Sequence, residues 1–280
     1  MKKIELTKSE FEKLDHFYPG VGIPNSESDI YYYDDKLLKY FNFKGVSLRD
    51  KIDTIKYLDS DVRKLNVKEL VLPQNLVSID NLDCAIIMEK HEDSKNLGLI
   101  LDSVDVSLDE KINYLKKVGE ILEKIQKENL EFSFCDFHPY NILVDNDEGI
   151  HIIDMDGIYL NGHQARPIYY LDVNTAADEV SSKYPRNVFG IAYSSNNTDL
   201  LSYSLMILNV ISNTRMQYKT RDEYYSYLDY LYSIGYGGNF LDSFDKLYKN
   251  SDNINPYPYL NEIPSDKKDV SIFKSYVKNS

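Results

Sequence analysis

The sequence predicts an α+β protein of two lobes, a small mainly β lobe over residues 1–88 and a larger mainly α lobe over 89–280. Three observations carry that prediction. β-rich apolar runs crowd the first third, apolar residues at helical spacing dominate the rest, and 280 residues exceed the commonest single-domain size. Strands first and helices after is the order of an α+β fold rather than an alternating one.

Taken in order, Asp29 to Tyr33 and Lys36 to Phe41 flank Asp34-Asp35, which predicts a tight β-hairpin. Ser47-Leu48-Arg49-Asp50 predicts a Ser-capped helix start, with Ile52, Ile55 and Leu58 on its buried face. Apolar runs at Leu70 to Leu72, Leu76 to Ile79 and Cys84 to Met88 predict further strands. The polar stretch Glu89 to Asn96 then links the lobes. Ser107-Leu108-Asp109-Glu110 matches a capping box and opens a helix buried through Ile112, Leu115, Val118, Leu122 and Ile125. A hairpin turn at Asn146 to Gly149 follows. Residues 158–198 read as a long loop, Asp199 to Ile211 and Arg221 to Ile234 as helices, and the end from Ser251 as a polar tail.

Composition excludes some function classes. The chain carries 45 acidic and 32 basic residues, a formal charge of -13, so neither nucleic acid nor an anionic membrane is expected as a partner. No stretch approaches the ~18 apolar residues of a membrane span, and no apolar core follows the charged Met1 to Leu6. Two cysteines, Cys84 and Cys135, set up no disulfide framework. A soluble, cytoplasmic protein is the expectation.

The segment Phe134-Cys135-Asp136-Phe137-His138-Pro139-Tyr140-Asn141-Ile142-Leu143-Val144, followed by Ile152-Ile153-Asp154-Met155-Asp156-Gly157, carries the chemistry. Phosphoryl transfer needs a carboxylate to accept a hydroxyl proton, hard oxygen ligands for Mg²⁺, and a lysine on the phosphates. An Asp and an Asn five apart, with a second Asp thirteen residues on beyond a hairpin, can meet those needs at one point.

These residues resemble the protein-kinase-like superfamily, which includes eukaryotic-type protein kinases and the choline and aminoglycoside phosphotransferases. The Asp136-x-x-x-x-Asn141 spacing matches the kinase catalytic loop, and Ile153-Asp154-Met155-Asp156 stands where the metal-binding Asp-Phe-Gly falls. The resemblance implies ATP and Mg²⁺ as cofactors, Asp136 as base, Asn141 and Asp154 as metal ligands, and Asp156 as an accessory ligand. It also makes Lys39 the phosphate-binding lysine and Met88-Glu89-Lys90 the hinge facing the adenine. Asp199, in Asp199-Leu200-Leu201-Ser202, is implied to anchor the catalytic loop.

The departures are specific. The Gly-rich loop is replaced by Pro24-Asn25-Ser26-Glu27-Ser28-Asp29, which leaves Ser26 and Ser28 to cover the phosphates. The helix acid expected to pair with Lys39 is Asp53 on spacing. Cys135 replaces the Arg that in many protein kinases clamps a loop phosphate. Activity is therefore expected not to depend on phosphorylation at Tyr169, Tyr170, Thr175, Ser181 or Ser182 through that contact. Glu89 and Asp136 are only 47 positions apart, which favours a Ser/Thr protein acceptor. A small-molecule hydroxyl acceptor, or a nucleotide-binding scaffold without turnover, is the alternative.

Overall fold

The computed structural model describes residues 1–18, 27–128, 130–161, 163–164, 195–212, 221–249, 251–252 and 254–264. It is a mixed α/β structure, with a β-sheet in the N-terminal region and helices towards the C-terminus. Two units form, one of Met1–Asn96 with Tyr140–Arg166 and one of Leu97–Pro139 with Pro167–Ser280.

The first unit is built on a five-stranded sheet. Its strands are β1 (Lys2–Leu6), β2 (Ser28–Tyr33), β3 (Lys36–Phe41), β4 (Asn75–Ile79) and β5 (Leu82–Glu89), in the order β1-β4-β5-β3-β2. The predicted β2–β3 hairpin is present, with Asp34 in the left-handed region at its turn. The edge strand β1, which pairs parallel with β4, was not expected. Its charges alternate with Ile4 and Leu6, the pattern of a guarded edge. Thr7 and Glu10 then close a reciprocal capping box that starts α1 (Lys8–Phe11).

The pleat turns alternate residues to opposite faces. On one face Leu38, Val77, Ala85 and Ile87 form a buried cluster, with Ile4, Leu6, Phe11 and Leu14 packed against it. On the other, Phe41, Leu76, Cys84 and Ile86 pack against Leu48, Ile52 and Ile55 of α2 (Val46–Val62). The helix starts at Val46 rather than behind a Ser47 cap, because Gly45 turns the chain at φ 63°. Leu58 is inside α2, but its side chain lies outside the described set.

A small second sheet completes this unit: β6 (Lys95–Asn96), β8 (Ile142–Val144) and β9 (Ile150–Ile152), in the order β6-β8-β9. Leu70 to Leu72 is not a strand of the main sheet. The Val71 N–H donates to the Ile152 carbonyl at 2.9 Å and the Ile152 N–H to that of Glu69 at 2.8 Å, so this run extends the β9 edge. These pairings join residues 140–166 to the first unit, so the units divide differently from a single cut at residue 88.

The second unit contains α3 (Leu97–Asp102), α4 (Leu108–Lys127), β7 (Phe132–Ser133), α5 (Asn196–Ser212), α6 (Arg221–Ser233) and α7 (Gly238–Tyr248). The Ser107 hydroxyl caps α4 by accepting from the Glu110 N–H at 3.2 Å, and the five predicted apolar residues of that helix are buried. α4 and α5 meet closely, for the Tyr203 hydroxyl donates to the Leu115 carbonyl at 2.7 Å. A Cβ on Gly119 would lie 2.4 Å from the Tyr203 oxygen and 2.6 Å from the Tyr257 Cβ, so only glycine fits there. α7 was not singled out from sequence, although Phe240, Phe244 and Leu247 repeat at helical spacing and are buried. No described helix is long and apolar enough to cross a membrane.

Candidate functional site

Lys39 lies in β3, an interior strand, opposite Ile30 of β2 and Ile86 of β5. It shares its face with Phe41, the face that α2 covers, and is 7% exposed. An ammonium in such a place costs several kcal/mol unless it is paired. Lys39 is paired twice, to the Asp154 carboxylate and to Asp156 Oδ1 at 2.7 Å. Lys51 of α2 reaches Asp156 Oδ2 at 2.6 Å and is itself buried. Two carboxylates and two ammonium groups thus form a neutral chain inside the first unit. The Phe41 ring lies 6.0 Å from Lys39 Nζ and 5.5 Å from Lys51 Nζ, within cation–π range.

The expectation for Asp53 is corrected here. Asp53 is on the exposed face of α2, while the ion pairs of Lys39 run to Asp154 and Asp156. The helix side turned towards the sheet brings Leu48, Lys51, Ile52 and Ile55, so α2 contributes a cation and not an acid. Sequence reading missed Lys51, although its place one residue before a core isoleucine was visible.

Local structure places Asp154. In the β8–β9 turn, Asp145 Oδ1 accepts from the Asp147 N–H at 2.9 Å and the Gly149 N–H at 2.7 Å. Beyond β9 the Ile153 N–H donates to the Asn141 carbonyl at 2.9 Å, which ties the residue before Asp154 to the start of the hairpin. Asp154 itself is left-handed at φ 65°, and Met155 is buried behind it. With Ile158, Met155 helps to line a small apolar pocket under Ile55 and Val62 of α2.

Charge sharing is uneven. Burial opposes ionisation of Asp156, but the Lys39 and Lys51 ammonium groups hold it far below the usual carboxylate range. For Asp154 the Lys39 ammonium pulls downwards, yet burial and the Asp156 carboxylate outweigh it and raise the group. Burial pulls Lys39 down, and its two carboxylate partners more than reverse that.

Asp136 belongs to the second unit. It is exposed, its N–H donates to the Phe134 carbonyl at 2.7 Å, and His138 Nε2 lies 3.4 Å from its Oδ1. The segment before it is fixed from below. Asp199, at 3% exposure, accepts from the Ser133 hydroxyl and the Phe134 N–H, both at 2.9 Å. The Cys135 N–H donates to the Ser133 hydroxyl at 3.1 Å, and Phe134 and Phe137 stack at 4.9 Å. Cys135 is held at φ 64°. Left-handed backbone comes readily to Asp and Asn but not to Cys; such positions cost on the order of 1–3 kcal/mol and persist where neighbours over-determine them.

Of the other expected site residues, Asn141 ends the 3-10 turn Pro139–Asn141, Ser28 is buried at the start of β2, and Glu89 is exposed at the end of β5. Ser26 and the loop residues Tyr169, Tyr170, Thr175, Ser181 and Ser182 lie outside the described residues. Among the described residues no three His, Cys, Asp or Glu side chains cluster as a metal cage. A magnesium ion carried on phosphates does not need one, since it takes one or two protein oxygens and fills its shell with phosphate and water. Asp154, with a third of its side chain exposed, and Asn141 supply donors of that kind. No protein-family model matches this chain, and no curated protein matches it.

Proposed function

We propose that this chain is an ATP- and Mg²⁺-dependent phosphotransferase with a two-lobed, protein-kinase-like fold. The observation that carries the reading is the buried strand lysine, Lys39, ion-paired to Asp154, which lies two residues beyond the β8–β9 hairpin that Asn141 precedes. A lysine and a metal-ligand carboxylate in contact are what a nucleotide triphosphate site requires, because one neutralises phosphate charge directly and the other through the metal. When bound, magnesium nucleotide supplies the phosphoryl group and part of the charge neutralisation. Asp154 and Asn141 hold the metal, Lys39 holds the non-transferred phosphates, and the Met88 to Lys90 backbone faces the adenine. Asp136 takes the proton of the acceptor hydroxyl as its oxygen bonds to phosphorus and the bond to the departing diphosphate breaks.

The acceptor proposed first is a Ser or Thr hydroxyl of a protein, given the short interval from Glu89 to Asp136. His138 beside Asp136 favours the alternative, a small-molecule hydroxyl, by offering a second polar contact at the acceptor. Asp136→Asn separates binding from chemistry. Nucleotide affinity should stay within about threefold while transfer falls about 10²–10⁴-fold, because an amide cannot accept the proton. Isothermal titration with ATP and Mg²⁺, run beside a labelled-ATP transfer assay, measures both. Transfer unchanged in the variant would remove Asp136 from the base role.

A further inference from the structure

Asp156 and Asp154 are two residues apart and both touch Lys39, but they are not equivalent. Both Asp156 oxygens are engaged, Oδ1 by Lys39 and Oδ2 by Lys51, and its side chain is 3% exposed. Asp154 is 33% exposed. A carboxylate already saturated by two ammonium groups is a poor candidate for a metal, whereas the more exposed one can turn to it. Lys39 can hold phosphate only if it gives up one carboxylate and keeps a fixed support behind it. Asp156 is that support, provided something fixes Asp156 in turn.

We infer that Lys51 and Asp156 form a positioning clamp, in which Lys51 of α2 fixes Asp156 so that Asp156 orients Lys39 towards a phosphate-bearing ligand. The task given to Lys39 rests on the function proposed above; the clamp itself rests on the ion pairs. α2 thereby acts on the site through a cation, and Asp156 takes the supporting place that the sequence assigned to Asp53. Lys51 also balances charge. With it the four side chains sum to zero; without it they carry one net negative charge, which repels phosphate.

Two measurements on the 280-residue chain test this. The first uses no nucleotide: urea unfolding of wild type, Lys51→Met, Asp156→Asn and the double variant. The clamp predicts a coupling of about tenfold or more in the unfolding equilibrium constant. Additive effects overturn it. The second titrates wild type, Lys51→Met and Lys51→Arg with ATP and Mg²⁺. Lys51→Met should weaken affinity about tenfold or more, and Lys51→Arg, which keeps the charge, should restore most of it. A folded Lys51→Met chain that binds as tightly as wild type overturns the positioning role, because a merely structural lysine would lower stability and leave affinity alone. Should wild type itself bind no nucleotide, the proposed function fails and with it the task of Lys39, while the unfolding cycle still decides the clamp.

Discussion

Asp199→Ala will lower the unfolding free energy by about 4 kcal/mol, since it strands two buried donors at roughly 1–3 kcal/mol each. Those donors are the Phe134 N–H and the Ser133 hydroxyl, both 2.9 Å from the carboxylate. The same loss releases Cys135 from its left-handed backbone, and Asp136 follows directly after it. The phosphoryl transfer proposed above should therefore collapse even at temperatures where the variant stays folded. Asp199→Asn keeps one acceptor oxygen and should cost about half as much.

The pH dependence has a definite sign. Burial pushes Asp199 up to about 8, against the lowering effect of its two donors, while an unfolded aspartate titrates near 4. Between those values the folded chain keeps a proton that the unfolded chain has released. The contribution is full at the acid end and is lost as pH rises towards 8. The stability advantage of wild type over Asp199→Asn should shrink across that window in urea unfolding. A difference that is flat or grows with pH would contradict the buried-carboxyl account.

Lys39→Met is the second large effect. It leaves Asp156 with Lys51 alone and takes from Asp154 the cation it is paired with, and breaking a buried pair from one side costs about 3–5 kcal/mol. Because Asp154 is a third exposed, the lower end of that range is expected, about 3 kcal/mol. The cost should ease at acid pH, where the raised Asp154 carboxyl takes up a proton. Lys39→Met/Asp154→Asn should recover part of it, since the second change removes the stranded charge. Thermal unfolding of both variants checks this, and a single variant as stable as wild type would show that the ion pairs are solvated and of little consequence.

Much of this architecture was legible because its signals are local. The β2–β3 hairpin announces itself at Asp34-Asp35, and α4 through its Ser107 cap and apolar stripe. The family resemblance, and not spacing alone, singled out Asp136, Asn141 and Asp154, whose chemical roles belong to the proposed function, and it put Asp199 where the hydrogen bonds from Phe134 and Ser133 converge. What escaped was decided by pairing across the chain. β1 is a charged strand that only its partner β4 makes recognisable, and Leu70 to Leu72 becomes an extension of β9 instead of a strand of the main sheet. Asp53 and Lys51 are two residues apart on one helix, and spacing cannot say which of them turns inwards. Packing of Leu48, Ile52 and Ile55 against the sheet turns the Lys51 side inwards, and that depends on strands distant in sequence.

The most direct test of the central claim is a thermal-shift titration with ATP, with and without Mg²⁺, on wild type and Asp154→Asn. For a ligand that binds only the folded chain at 100 times its Kd, stabilisation is about 2.7 kcal/mol. A rise in Tm that requires both ATP and Mg²⁺ is expected in wild type and not in Asp154→Asn, whose neutral amide is a poorer metal ligand. Equal, metal-independent shifts in both proteins, or none in wild type, would contradict it.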